Sequence, residues 1–132
     1  MTVDGCSAAD LIVSRETKAK LEKYADLLIR WNQKINLVSA STISDLWSRH
    51  FVDSAQVYKL FPAVQGVWAD LGSGGGFPGL VIAIIANELN PHLKVVLVES
   101  DQRKATFLRT VIRETAISAT VKIERIESLA PI

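Results

Sequence analysis

The chain has 132 residues, 48% hydrophobic and 22% charged, which suffices for one domain with a sizeable core and lies far from the composition of a disordered chain. A net charge of +1 excludes a generally basic surface of the kind that coats nucleic acid, so any RNA contact must be local. One cysteine, Cys6, and two histidines far apart, His50 and His92, exclude an internal disulfide and a multi-cysteine metal site; no metal is expected, and a reducing cytoplasm fits best.

The amino terminus carries Asp4 and Asp10 with no basic residue leading into an apolar run, so it does not read as a signal peptide. The longest apolar run, residues 80–86, falls well short of the roughly 20 residues that span a bilayer and reads as a buried helix. In chain order, the first element is an amphipathic helix: Leu21, Tyr24, Leu28, Trp31 and Ile35 recur at three- and four-residue steps, with Ser14 or Thr17 as its cap. A second helical stretch covers residues 43–61, where Leu46, Trp47, His50, Phe51, Ser54, Val57 and Tyr58 share neighbouring faces, and Pro62 ends it. Residues 1–62 therefore form a helical extension, with a boundary between Pro62 and Gly66.

Beyond the boundary, residues 63–132 follow a β-α-β-α-β pattern. Residues 67–71 form a short strand and residues 72–76 a turn; Pro78 sits in the first turn of a helix that runs to about Leu89. Residues 93–98 are almost wholly apolar, the pattern of a parallel strand covered on both faces. A helix over 101–114 and a strand over 119–126 complete the series, which predicts an α/β, Rossmann-like half sheet of three parallel strands with right-handed crossovers.

The chemistry concentrates in Asp70-Leu-Gly-Ser-Gly-Gly-Gly-Phe-Pro-Gly79. Gly72, Gly74 and Gly76 directly follow a strand, permit positive φ and remove side chains from the path of a ligand across the strand end. Glycines alone do not choose the ligand, because Gly74 to Gly79 also satisfies the dinucleotide pattern G-x-G-x-x-G. Counted from the strand end, however, the sixth position is the bulky Phe77, where a dinucleotide site needs a small residue. Asp70 would repel a pyrophosphate and suits the ammonium and sulfonium charges of S-adenosylmethionine (SAM). Glu99 ends the second strand 23 residues after Gly76, near the spacing at which a carboxylate meets a ribose; it serves SAM or NAD equally, and a helix cap is its plain alternative.

Trp31-Asn32, Asn36-Leu37, Arg49-His50, Asp53-Ser54, the loop 72–79, Arg103-Lys104, Phe107-Leu108, Arg125 and Glu127 together resemble, in order, the RsmG/GidB family of small-subunit ribosomal RNA methyltransferases, from about Leu21 to the last residue. The resemblance implies a class I SAM-dependent methyltransferase fold, methylation at N7 of a guanine in 16S ribosomal RNA on the small subunit, and a bacterial cytoplasmic location. It also implies cofactor contacts at Gly72, Phe77, Ile126 and Glu127; for Ile126, an apolar wall and a core position read alike.

Guanine N7 carries a lone pair and no proton to lose, so no general base is required, and no catalytic dyad is assigned. For positioning, the resemblance points to His50, although a lone histidine beside Trp47 and Phe51 is more often a packed, hydrogen-bonded residue. Asn36 is either a helix C-terminal residue or a base contact; Asp53 and Ser54 read better as ties between the helices and the loop. Arg125, with Arg103, Lys104, Arg109, Arg113 and Lys122, makes the second half locally basic, a set that either meets phosphate or forms a solvated face. Trp31, Trp47 and Trp68 could stack bases, but two lie on apolar helical faces and one in a strand, so core is their default reading.

The sequence ends at Ile132, just past the third strand, where a methyltransferase of this type continues with the other half of its sheet. Strand 67–71 is then expected at an edge, open to self-association, and methyl transfer by the chain alone is expected to be weak or absent. Two other functions fit the pattern less well: a non-catalytic SAM-fold fragment or assembly partner, which the short chain favours, and an NAD-dependent oxidoreductase, against which Asp70 and Phe77 argue.

Overall fold

A computed structural model describes residues 13–60, 66–72 and 75–125. Helix α1, Arg15–Asn32, begins at Ser14, whose hydroxyl accepts from the Thr17 N–H at 3.2 Å. The Ser14 backbone N–H and the Thr17 hydroxyl also donate to the Glu88 carboxylate, which ties the start of α1 to the far end of another helix. The predicted stripe is buried where expected: Tyr24 and Leu28 have no exposed surface, and Leu21 is buried beside them.

The predicted helix over 43–61 is not continuous. A short helix α2, Ala40–Ser44, starts earlier, with the Ser39 hydroxyl accepting from the Thr42 N–H at 3.2 Å. Asp45 breaks out of helical geometry, Leu46–Phe51 winds as a π-helix, and α3 covers Val52–Leu60. The wider π turn shows in the His50 N–H reaching the Asp45 carbonyl at 3.3 Å, five residues back.

Strand β1, Gly66–Leu71, pairs in parallel with β2, Leu93–Glu99, in the register Trp68 with Val95 and Asp70 with Leu97. Strand β3, Thr120–Ile123, pairs in parallel with the other side of β2, giving the order β1-β2-β3. Helix α4, Gly79–Leu89, makes the first crossover and α5, Gln102–Thr115, the second. Right-handed crossovers that step one way across a sheet lie on the same face. Consistent with that, α1 packs against both α4 and α5, forming a single helical layer.

Helix α4 is therefore enclosed by sheet, α1 and α3, which explains why Leu80 to Ala86 is apolar all round. Burying each of Leu80, Ile82, Ile84 and Ile85 stabilises the fold by about 1.5–3 kcal/mol. The expectation that β2 is covered on both faces holds in part: on the face of Lys94, Val98 is buried and Val96 half-buried, but Lys94 is exposed, and on the same face of β1 Val67 and Leu71 stay 66% and 49% exposed. Among the described residues, the layer of α1, α4 and α5 lies on one face of the sheet. The third strand is also shorter than 119–126, although the Glu124 N–H still bonds the Glu99 carbonyl at 3.1 Å. Pro62, at the predicted boundary, lies outside the described residues.

Candidate active site

The carboxyl ends of β1 and β2 lie together, as parallel pairing dictates. Leu71 is in register with Val98, and one residue on the Gly72 N–H donates to the Val98 carbonyl at 2.8 Å. Gly72 does so at φ 71, a left-handed conformation that favours glycine and turns the chain out of the strand. Glu99 ends β2 beside this turn, buried to 7% exposure, and its Oε2 accepts from the Asp101 N–H at 3.0 Å. A buried carboxylate at the sheet's carboxyl edge, next to a glycine turn, has the hydrogen-bonding chemistry to take a ribose.

Asp70 points into the start of α4: its Oδ2 accepts from the Gly79 N–H at 3.1 Å. A carboxylate there complements the unpaired amides and positive end of the helix. Its field extends to Tyr24, whose phenol is held well above its ordinary pKa first by burial and then by the Asp70 charge. Asp70 thus stands at a junction of strand, loop and helix as well as at the strand end where the sequence put a cofactor's positive charge.

Tyr24, read from the sequence only as part of the apolar stripe, has a role at the loop that sequence reasoning missed. From α1 its hydroxyl donates to the Gly75 carbonyl at 2.5 Å, while its ring stacks on Phe51 at 5.3 Å and meets Phe77 at 5.8 Å. The helical extension therefore clamps the glycine loop from below. Gly76, at φ 97, has no room for a side chain: a Cβ there would come within 2.5 Å of Leu80 Cδ1 and 2.7 Å of the Tyr24 hydroxyl. The space in which a side chain would lie is taken by Leu80 and Tyr24, so packing alone requires glycine at this position. Gly75 likewise makes way for Val38, whose Cγ1 would lie 2.7 Å from a Cβ.

A second missed residue is Asn32, whose side-chain oxygen accepts from the Leu37 and Val38 N–H groups at 2.8 and 3.0 Å. This fixes the turn after α1 and so presses Val38 against Gly75. Asn36 lies exposed within that same turn. Among the described contacts, nothing else engages it.

His50 is brought to the loop. Its ring lies 5.8 Å from the ring of Phe77, which also meets Phe51 at 5.6 Å. The π turn makes this arrangement by carrying His50 and Phe51 together towards the loop, with Trp47 edge-on to Phe51 at 4.4 Å. Phe77 is half-buried and precedes a cis peptide bond to Pro78. Arg49 and Asp53 are exposed on this segment, and Ser54 is buried.

Arg125 is exposed two residues past β3, next to Glu124 and hence near the Glu99 end of the sheet. Arg109 reaches the Val121 carbonyl at 3.3 Å and Arg113 pairs with Glu114 at 3.6 Å, so both have partners within the fold. Trp31, Trp47 and Trp68 are half-buried against the core. Gly74, Ile126 and Glu127 lie outside the described residues.

The Gly72 turn and buried Glu99 thus lie together at the carboxyl ends of β1 and β2, and Phe77, in the loop leading from β1 into α4, meets His50. The rRNA small subunit methyltransferase G (GidB) family matches residues 17–131. Proteins named ribosomal RNA small subunit methyltransferase G are similar along nearly the whole chain. The one from Cereibacter sphaeroides strain ATCC 17025 is 54% identical over 132 residues, 99% of this chain and 64% of its own length. Those from Ruegeria sp. strain TM1040 and Parvibaculum lavamentivorans are 50% and 53% identical, with 60% and 52% of their lengths covered. The chain therefore spans less than two thirds of the length of these relatives. On the extent of that match, this chain belongs to the rRNA small subunit methyltransferase G family.

Proposed function

We propose that the chain provides the SAM-binding half of a methyltransferase that modifies N7 of a guanine in 16S ribosomal RNA, in the bacterial cytoplasm. The observation that carries this reading is the buried Glu99 beside the Gly72 turn at the carboxyl ends of two parallel strands, with the His50–Phe77 pair on the loop that follows β1. The residues present fit the cofactor. Glu99 is a buried acceptor for ribose hydroxyls, Asp70 supplies negative charge at the strand end, and Phe77 gives an apolar wall. Gly74, Ile126 and Glu127 complete the proposed contact set. SAM, when bound, supplies the methyl group.

The chain's own task is then positional. Because N7 has no proton to lose, no side chain here has to act as a base, and the site works by aligning the acceptor and stabilising the charge that the purine gains. His50 and Phe77 border the place where a planar base would enter, and Asn36 and Arg125 are proposed to guide RNA towards it. Strand β1 lies at an edge among the described strands, and we include pairing with a second polypeptide along it in the proposal. Among the described residues, no helix is long and apolar enough to cross a membrane.

The test is to incubate the chain, together with a polypeptide supplying the carboxyl-terminal part of a full-length relative, with methyl-labelled SAM and small ribosomal subunits and to map the label. Label at guanine N7 supports the reading; label confined to another base or to protein contradicts it.

A further inference from the structure

We infer that a cationic, tryptophan-walled pocket at the junction of α1 and α5 holds a single-stranded nucleotide of the RNA, beside the target base; this rests on the RNA methyltransferase reading above. The pocket has a volume of about 390 Å³ and is lined by Arg30, Trp31, Lys34, Ile35 and Arg103. Three cations around one indole and one isoleucine are unusual on a chain whose net charge is only +1. Each part matches a part of a nucleotide: a flat apolar wall for a base, and cations for the flanking phosphates.

The wall is held in place. Trp31 packs against Phe107 at 5.6 Å, and its carbonyl accepts from the Lys34 and Ile35 N–H groups, both at 3.0 Å. Asn32 then locks the following turn onto Gly75 through Val38. The same turn therefore borders the pocket at one end and the glycine loop at the other, and RNA held at Trp31 would lie on the path to His50 and Phe77.

The surrounding charges favour an anion. Among the described residues neither Arg30 nor Lys34 forms an ion pair, and Arg103 touches Asp101 only at 3.8 Å with most of its side chain exposed. Asp26 and Glu114 face Arg30 from the adjoining depression, not from this pocket. Trp31 and Ile35 give the pocket a base-sized apolar wall that simple anion binding would not need.

The test uses the chain as it is and a labelled single-stranded RNA of about ten nucleotides, read by fluorescence anisotropy across a salt series. Arg30→Gln with Lys34→Gln is expected to weaken binding about tenfold at low salt and to flatten the slope of log K against log[salt] by about 1.4, the loss of two phosphate contacts. Trp31→Ala is expected to weaken binding about 5- to 150-fold at any salt. The cation double variant is the surface control in case Trp31→Ala fails to fold. Unchanged affinity and slope in the double variant would overturn the pocket, as would absence of RNA binding by the parent chain or equal competition by polyglutamate. SAM titrations on the same proteins keep the two proposals apart: loss of SAM binding by the parent chain would overturn the methyltransferase reading, while the RNA results alone decide the pocket.

Discussion

Tyr24→Phe removes one oxygen atom and isolates the clamp on the glycine loop. The ring and its stacking on Phe51 stay, but the Gly75 carbonyl loses a 2.5 Å hydrogen bond in surroundings where Tyr24 has no exposed surface. Leaving a buried carbonyl without its donor costs about 1–3 kcal/mol. The unfolding entropy of a chain this size is about 0.3 kcal/mol/K, so the melting temperature should fall by ~4–10 °C. Circular dichroism melts and urea titrations should agree on the loss, with the urea midpoint moving and the slope unchanged. Cofactor affinity should fall as well, because Gly75 and Gly76 would no longer be held at one height above α4. A variant that melts within about 1 °C of the parent would refute the clamp, since the smallest cost reckoned here corresponds to several degrees.

Gly76→Ala should be among the most damaging small substitutions, because it combines φ 97 with contacts of 2.5 and 2.7 Å to Leu80 and Tyr24; we expect a loss above about 2 kcal/mol in chemical denaturation. Gly66→Ala, at φ 113 but with nothing within 4 Å of a Cβ, should show the backbone cost alone, about 1–3 kcal/mol, and so be the milder of the two. Asn32→Ala frees the Leu37 and Val38 amides and should cost about 1–2 kcal/mol, with greater proteolytic cleavage in the turn after α1. Glu88 titrates below its ordinary value of 4.5, chiefly because the Thr17 hydroxyl donates to it, with Ser14 adding further bonds. A carboxylate depressed in the folded state contributes stability that is present above its unfolded pKa and lost as pH falls through the folded one. Stability should therefore drop on acidification below about 4.5 more steeply in the parent than in Glu88→Gln, followed by melts from pH 6 to 3.

The β-α-β-α-β series was legible because each apolar segment is short, bounded by turn residues, and followed by a helix with its own period; strand and helix limits differ from expectation by a few residues at most for β1, β2, α4 and α5. The break at Asp45 and the π turn were not, because an extra residue per turn barely alters which apolar residues share a face over six positions. Tyr24 was read correctly as a core residue of α1, but its hydroxyl bond spans 51 positions, and no local pattern announces a partner so remote. The glycines show the same limit. Positive φ at Gly72 and Gly76 follows from the turn, whereas the tenant of the space beside Gly76 is decided by Tyr24 and Leu80 from other elements. Glu99 was placed from spacing to a ribose, and its burial at the strand end is what packing added.

The central claim, that the carboxyl edge of this sheet is a SAM site read by Glu99, is tested most directly by calorimetric titration of the chain with SAM and, separately, NAD. Saturable heat is expected with SAM and none with NAD, with an affinity about 10- to 150-fold lower in Glu99→Ala, the loss of hydrogen bonds to a charged acceptor worth about 1.5–3 kcal/mol. Binding of NAD without SAM, or SAM binding indifferent to Glu99, would contradict it.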